Sequence, residues 1–292
     1  MGVILMTGAT GFLGSRLAAR LAGGHDLVLL KRSASDTGRL GRLARELPIY
    51  DLDRDGLNEA LAAHPVEVVI HTATDYGRSG AIEPVLTANL VLPVSVAAAA
   101  AAAGARAFLN ADTVLPRFLN PYALAKAQLK EWLRLMGARL ASVNLALQSF
   151  YGPGEGAEAF VSSTLLGLMA GGSELPFTPG DQARDFIYID DVVEAFALVV
   201  ERLDELGPGQ HEVQVGSGRA LSIRQFVALA KELTHSAVDP EFGAKPYRPE
   251  EPMRCCADVS RLETWGWRAR VDLAEGLTRT IAHLRGPAGG GA

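Results

Sequence analysis

Residues 3–14 of the chain read VILMTGATGFLG, and the reading of the fold starts there. An apolar run of strand character ends in three glycines, Gly8, Gly11 and Gly14, at intervals of three. A helical pattern follows, with Leu13, Leu17 and Leu21 on one face, until Gly23 and Gly24 stop it. In a strand–turn–helix of this spacing the first glycine permits the tight turn, the second admits a pyrophosphate close to the backbone, and the third lets helix and strand pack. The helix N-terminus then faces the phosphates with its free N–H groups and positive dipole end. The turn, with Thr10, Phe12 and Leu13 between and beside its glycines, is a candidate dinucleotide site.

Outward from this unit, apolar runs at 27–31, 66–73, 105–111 and 141–147 alternate with helical patterns at 57–63, 82–103 and 122–137. Such alternation implies an α/β fold with a doubly wound parallel sheet of Rossmann type. After Tyr151 the texture becomes rich in glycine and proline, as in GPGEGAEAF and AGGSELPFTPGDQ, which predicts loops and short elements. The expected organisation is a dinucleotide-binding domain over 1–152, to which 185–207 returns. A smaller C-terminal substrate domain is expected over 153–184 and 208–285. The tail 286–292, GPAGGGA, lacks any means of packing and is expected to be disordered.

Composition narrows the function. A net charge of -5 over 292 residues, with no basic stripe, argues against nucleic acid as a partner. Cys255 and Cys256 are adjacent, which suits neither a disulfide nor a metal site, so they are read as structural and the compartment as reducing. No secretory pattern follows Met1, and the apolar stretch Val91–Ala105 is read as too short and too weakly hydrophobic to span a membrane. The expectation is a cytoplasmic protein without a metal.

The end of the second strand discriminates between cofactors. It reads Leu30, Lys31, Arg32, Ser33, where NAD binders place an acid for the ribose hydroxyls. Two cations and a hydroxyl suit a 2′-phosphate, so NADP(H) is expected in preference to NAD(H). The other reading of the pair is solvated loop charge. Asp51, followed by Leu52 at the end of PIYDLD, is either an acceptor for the adenine amino group or a loop acid.

Residues 108–128, FLNADTVLPRFLNPYALAKAQ, carry the candidate chemistry. Tyr122 and Lys126 lie four apart on a helix that begins after Asn120-Pro121. A phenol held against a carbonyl oxygen can supply a proton as hydride reaches the carbon. An ammonium one turn away is expected to draw the phenol down from its usual pKa of ~10.

These features together resemble the extended short-chain dehydrogenase/reductases, the NAD-dependent epimerase/dehydratase group of nucleotide-sugar epimerases, dehydratases and reductases. The resemblance runs through TGATGFLG, VVIHTAT (68–74), Asn89 in TANLVLP, Tyr122 to Lys126, FYGPGE (150–155), RDFIYIDDVVEAF (184–196), VGSGRALSIRQF (215–226) and RPEEPMRCCADVSRLETWGW (248–267). LKRSASDT with NADTVLPRFLNPYALAKAQ looks most like the CDP-abequose and CDP-paratose synthase type of 4-ketoreductase. The resemblance implies an oxidoreductase of deoxysugar biosynthesis that uses NADPH to reduce the 4-keto group of a nucleotide-linked 4-keto-6-deoxyhexose. It implies that Lys126 also holds the nicotinamide ribose, and that Ala73 and Asn89 line the cofactor site. For the sugar nucleotide it implies Thr74, Gln148, Phe160, Arg184, Arg248 and Arg254. It implies a homodimer through the helices at 94–103 and 122–137.

One position departs from the pattern. The family's usual Ser or Thr falls on Ala111, which has no donor. Thr113, two residues along the same strand face, is the first candidate to replace it. Asp112, where 4,6-dehydratases carry an acid, is the second, and a water above Ala111 the third. A dehydratase also needs a base, which that family takes from a glutamate following the aspartate, and here Thr113 stands in its place. Two other functions stay open: an epimerase with tightly bound NAD, and a non-catalytic dinucleotide-binding protein of the same fold.

Overall fold

The computed structural model describes residues 2–137, 140–172 and 174–286. The expected tail lies, from Pro287 on, outside the described residues. The chain forms two compact units. The first comprises residues up to Ala146 with Val193–Val213, the second Leu147–Val192 with the chain from Gln214 on.

In the first unit β1 (Val3–Thr7), α1 (Phe12–Leu21) and β2 (Leu27–Lys31) lead through a 3-10 turn (Gly38–Leu40) to α2 (Leu43–Glu46), β3 (Ile49–Asp51), α3 (Gly56–Ala63) and β4 (Val66–His71). Then come α4 (Ile82–Leu86), a π-helical turn (Thr87–Val91), α5 (Leu92–Ala102), β5 (Ala107–Thr113), α6 (Pro121–Met136) and β6 (Ala141–Leu147). After them follow β7 (Ser149–Tyr151), α7 (Phe160–Met169), β8 (Glu174–Phe177), β9 (Ala183–Tyr188), α8 (Ile189–Glu201) and β10 (Gly209–Val215). The chain ends in β11 (Ala220–Ser222), α9 (Ile223–Thr234), β12 (Asp239–Phe242), α10 (Ser260–Thr264) and α11 (Leu273–Leu284).

The central sheet has seven strands in the order β10-β6-β5-β4-β1-β2-β3, and β3, β2, β1, β4 and β5 pair in parallel. Strands β1 and β6 are buried at every residue, which is why they read as continuous apolar runs rather than alternating ones. The order reverses between β1 and β4, so their carboxyl ends open the crevice in which such sheets bind ligands. Phe108, Val96, Ala97, Leu129 and Leu133 pack one core layer, and the alanines of α5 allow its close approach. Together α4, the π turn and α5 make a helical run of 21 residues, Ile82–Ala102, whose most apolar 18 residues have a mean hydropathy of 1.9. By length and composition it is therefore not too short to cross a membrane, contrary to expectation. Its Val85, Val96, Ala97 and Ala100 are fully buried, while Ile82, Leu86 and Val91 are exposed.

In the second unit β11, β9 and β7 form a three-stranded sheet, and β12 pairs in parallel with β8. Asp185 locks this unit: its Oδ1 accepts from Ser217 N (2.8 Å) and Oγ (2.6 Å), and its Oδ2 from the N–H groups of Gly218 (3.0 Å) and Ala257 (3.1 Å). Helix α9 starts at a reciprocal cap between Ser222 and Gln225, and α11 at Asp272, which accepts from Glu275 N.

Candidate active site

The glycine turn is built to admit an anion. Gly8 has φ +73°, and a Cβ there would strike the Ala73 backbone at the end of β4. A Cβ on Gly14 would strike the Gly8 carbonyl, so α1 sits against β1 at glycine distance. Gly11 is exposed, and a Cβ there would meet only the Gly8 carbonyl oxygen, at 3.2 Å. It opens α1 with no side-chain cap and no acid in the first turn, which leaves N–H groups for a pyrophosphate.

At the end of β2 the residues take different parts from those expected. Lys31 Nζ folds back onto the carbonyls of Arg32 (3.1 Å) and Ser33 (3.3 Å). The Ser33 hydroxyl donates to Asp51 Oδ2 at 2.6 Å, and Ser33 N donates to Asp53 Oδ2 at 2.8 Å. The Ser33 hydrogen bond, then the Asp53 N–H, hold the Asp51 carboxyl below the usual carboxylate range. Asp51 thus ties strand β3 to the β2 turn. The Arg32 side chain is exposed and has no ion pair or hydrogen bond among the described residues, which leaves its planar fork for a phosphate.

Helix α6 positions the phenol. Asn120 Oδ1 accepts from Ala123 N at 2.8 Å and Pro121 fills the first helical position, so the helix begins one residue before Tyr122. Tyr122 is 8% exposed, faces the Thr113 side chain, and has the Tyr76 ring 5.1 Å away. The Thr113 hydroxyl also accepts from Leu115 N at 3.2 Å. Burial, with Tyr76 and Asp112 adding to it, pushes the Tyr122 phenol up, and Thr113 only moderates this. The expected lowering by Lys126 is not what the structure shows. Lys126 Nζ is committed elsewhere, donating to the Ala111 carbonyl (2.7 Å) and Asn110 Oδ1 (3.4 Å). It is fully buried, and that burial pulls it down to about 8.

Ala111 therefore contributes through its backbone. Asp112 engages α6 instead, its Oδ2 3.2 Å from Lys130 Nζ in an ion pair. Burial raises the Asp112 carboxyl, opposed by Lys130 and then Lys126.

Strand register puts Thr7, His71 and Asn110 side by side, in a buried polar row that the sequence reading missed. Thr7 Oγ1 meets His71 Nδ1 at 2.7 Å, and Asn110 Nδ2 donates to Asn144 Oδ1 at 3.0 Å. A signal existed: each is a polar residue closing or interrupting an apolar strand run. Lys130 was also missed, although it repeats the four-residue spacing of Tyr122 and Lys126. Asn89, buried in the π turn, donates to the carbonyls of Asp75 (2.7 Å) and Val85 (2.9 Å) and so holds the loop after β4, which carries Thr74.

The expected substrate residues in the second unit are placed unequally. Arg184 is already held by Glu251 and by the carbonyls of Pro252 (2.7 Å) and Ala183 (2.9 Å). Arg248 and Arg254 are exposed and without ion pairs among the described residues. Gln148 is buried with its Oε1 unpaired. Phe160 packs on Phe226 (5.4 Å) and Phe186 (6.1 Å), while 41% of it stays exposed. Tyr151 and Phe177 are core, against Tyr188 and Phe242.

Comparison with known proteins identifies the family. The chain is 27% identical over 290 residues to CDP-abequose synthase of Salmonella muenchen, covering 96% of this chain and 97% of that one. It is 30% identical over 317 residues to UDP-glucose 4-epimerase of Mycolicibacterium smegmatis, covering 96% and 98%. Among solved structures, UDP-glucose 4-epimerase of Thermotoga maritima with UDP-glucose matches with a TM-score of 0.83 at 23% identity, covering 97% and 98%. A family model matches residues 4–216, and the chain belongs to that family, the NAD dependent epimerase/dehydratase family.

Proposed function

We propose that the protein is an NADPH-dependent ketoreductase that reduces the 4-keto group of a nucleotide-linked 4-keto-6-deoxyhexose. The observation that carries the reading is that the Thr113 hydroxyl faces Tyr122 while Asp112 is ion-paired with Lys130 at 3.2 Å. A proton donor and a hydroxyl thus share one side of the β5 end, without the carboxylate base that a dehydratase needs there. The similarity to CDP-abequose synthase supports the substrate class.

The bound reduced nicotinamide would supply hydride to the carbonyl carbon. Tyr122 gives its proton to the carbonyl oxygen as charge develops there, and Thr113 orients that oxygen. Lys126, its ammonium anchored on Ala111 and Asn110, holds the nicotinamide ribose. Arg32 takes the 2′-phosphate. Arg248 and Arg254 take the substrate diphosphate, and Arg184 positions their segment through Glu251. The protein acts in the cytoplasm as a homodimer, a role for which the exposed Val91, Trp132 and Leu135 of the π turn and α6 are suited.

A second reading, an epimerase with tightly bound NAD, is favoured by the similarity to UDP-glucose 4-epimerase. Turnover of NADPH with a panel of nucleotide 4-keto-6-deoxyhexoses tests the first reading. Oxidation of NADPH by members of the panel is expected. Purified protein that carries stoichiometric NAD, interconverts UDP-hexoses and ignores NADPH would replace it with the second.

A further inference from the structure

On α6, Tyr122, Lys126 and Lys130 follow one another at four-residue intervals, so all three lie on one face. Strand β5 sets Asp112 against that face. Its side chain is 1% exposed, and Lys130, 30% exposed, stands 3.2 Å from Oδ2. On its other side Lys130 Nζ lies 3.5 Å from Glu212 Oε2 of β10, a half-exposed carboxylate. A carboxylate buried as deeply as Asp112 stays charged only beside cations, since several kcal/mol of hydration are lost on burial. Neither oxygen has an aligned hydrogen-bond donor, so the ion pair carries that burden.

Lys126 has the opposite need. It is fully buried, and the two groups its ammonium donates to, the Ala111 carbonyl and Asn110 Oδ1, are neutral. The charged and titratable groups facing these residues can be named element by element. From β5 comes Asp112, from β4 the neutral buried His71, from α6 Tyr122 and the lysines themselves, and from β10 Glu212. Of these, Asp112 alone favours the charged form of Lys126. Lys130 in turn favours the charged form of Asp112.

We propose that Lys130 is a positioning residue of the active site: it holds Asp112 ionised, and ionised Asp112 keeps Lys126 an ammonium on the helix face that carries Tyr122. By pairing with Asp112, Lys130 also screens a charge that opposes negative charge developing on the phenol oxygen. The proposal rests on the reading that Lys126 works with Tyr122 and the cofactor. Its test is chosen to stand apart from the identity of the sugar.

Two titrations carry that test. One is the ¹³Cε shift of Lys126 by NMR, assigned by comparison with Lys126→Arg; the other is the affinity for NADPH as a function of pH. Without Lys130, Asp112 holds its proton to higher pH and Lys126 loses its own at lower pH. In Lys130→Met both the Lys126 titration and the alkaline loss of affinity are expected to move down by roughly 0.5–1 pH unit, about three- to tenfold in Kd above the midpoint. Lys130→Arg should restore both. Should Lys130→Met fail to fold, Asp112→Asn, which removes the buried carboxylate itself and leaves Lys130 beside Glu212, carries the same prediction. The double variant should shift no further than either single one. A Lys126 titration unchanged in Lys130→Met, or shifted there but not in Asp112→Asn, overturns the proposal. A failed sugar panel leaves this result standing, because neither titration contains a sugar.

Discussion

At the scale of single residues, three consecutive residues at the end of β5 serve three different residues of α6. Ala111 gives a carbonyl to Lys126, Thr113 a hydroxyl to Tyr122, and Asp112 a carboxylate to Lys130. The Thr113 hydroxyl accepts from Leu115 N at 3.2 Å and faces Tyr122, which orients it toward the phenol. Preorganised donors of this kind typically contribute ~10²-fold to 10³-fold to turnover. Thr113→Val, which keeps the shape, is therefore expected to lose turnover on that scale with KM little changed, whereas Thr113→Ser should retain most of it. Equal rates in wild type and Thr113→Val, measured at saturating substrate, would remove the hydroxyl from the mechanism. Tyr122→Phe keeps the ring packed beside Tyr76 but has no proton to give. It should abolish reduction while NADPH affinity stays within about twofold, and a variant that still turns over would transfer the acid role elsewhere.

At the scale of elements, the β2 turn shows how tertiary structure reassigns residues that a local reading groups together. Lys31, Arg32 and Ser33 look like one phosphate cradle, but Asp51 and Asp53 beyond β3 claim Ser33, and the carbonyls of the turn claim Lys31. Only Arg32 is left with a free fork. Arg32→Ala should therefore weaken NADPH by roughly 10-fold or more while leaving NADH nearly unchanged, since one desolvated charge-assisted pair contributes ~1.5–3 kcal/mol. Lys31→Ala should weaken both cofactors equally, through the turn. Titration of each variant with 2′,5′-ADP and 5′-AMP separates these outcomes, and identical losses for the two nucleotides in Arg32→Ala would make Arg32 mere solvated charge. The parallel strands, the glycine turn and the Tyr122–Lys126 spacing were legible because each is written within a few consecutive residues. The pairing of Arg184 with Glu251, of Ser33 with Asp51 and of Asp112 with Lys130 was not, because each depends on register between elements distant in the chain. The three- and four-residue strands β7, β8, β11 and β12 were equally hidden, being too short for a period to show.

At the scale of the whole molecule, the buried polar row makes stability depend on pH. His71 is fully buried beside Phe108, with Thr7 on Nδ1. Burial first, and then the Lys126 charge, hold its pKa well below the ordinary value. The folded protein thus keeps His71 neutral at a pH where the unfolded chain would protonate it. The sign follows from linkage: below the unfolded pKa of ~6.5 the unfolded state binds one more proton, so stability is full above that value and falls as pH drops beneath it. The slope approaches ~1.4 kcal/mol per pH unit for one proton. Most carboxylates do not yet titrate between pH 5.5 and 7, which leaves this window to histidine. Urea unfolding followed at pH 7.5 and 5.5 should therefore show the wild type losing about 1 kcal/mol that His71→Asn does not lose, whatever the absolute stability of the variant. Parallel losses in the two proteins would mean that His71 takes up its proton in the folded state, and the row Thr7–His71–Asn110 would then admit charge beside Lys126.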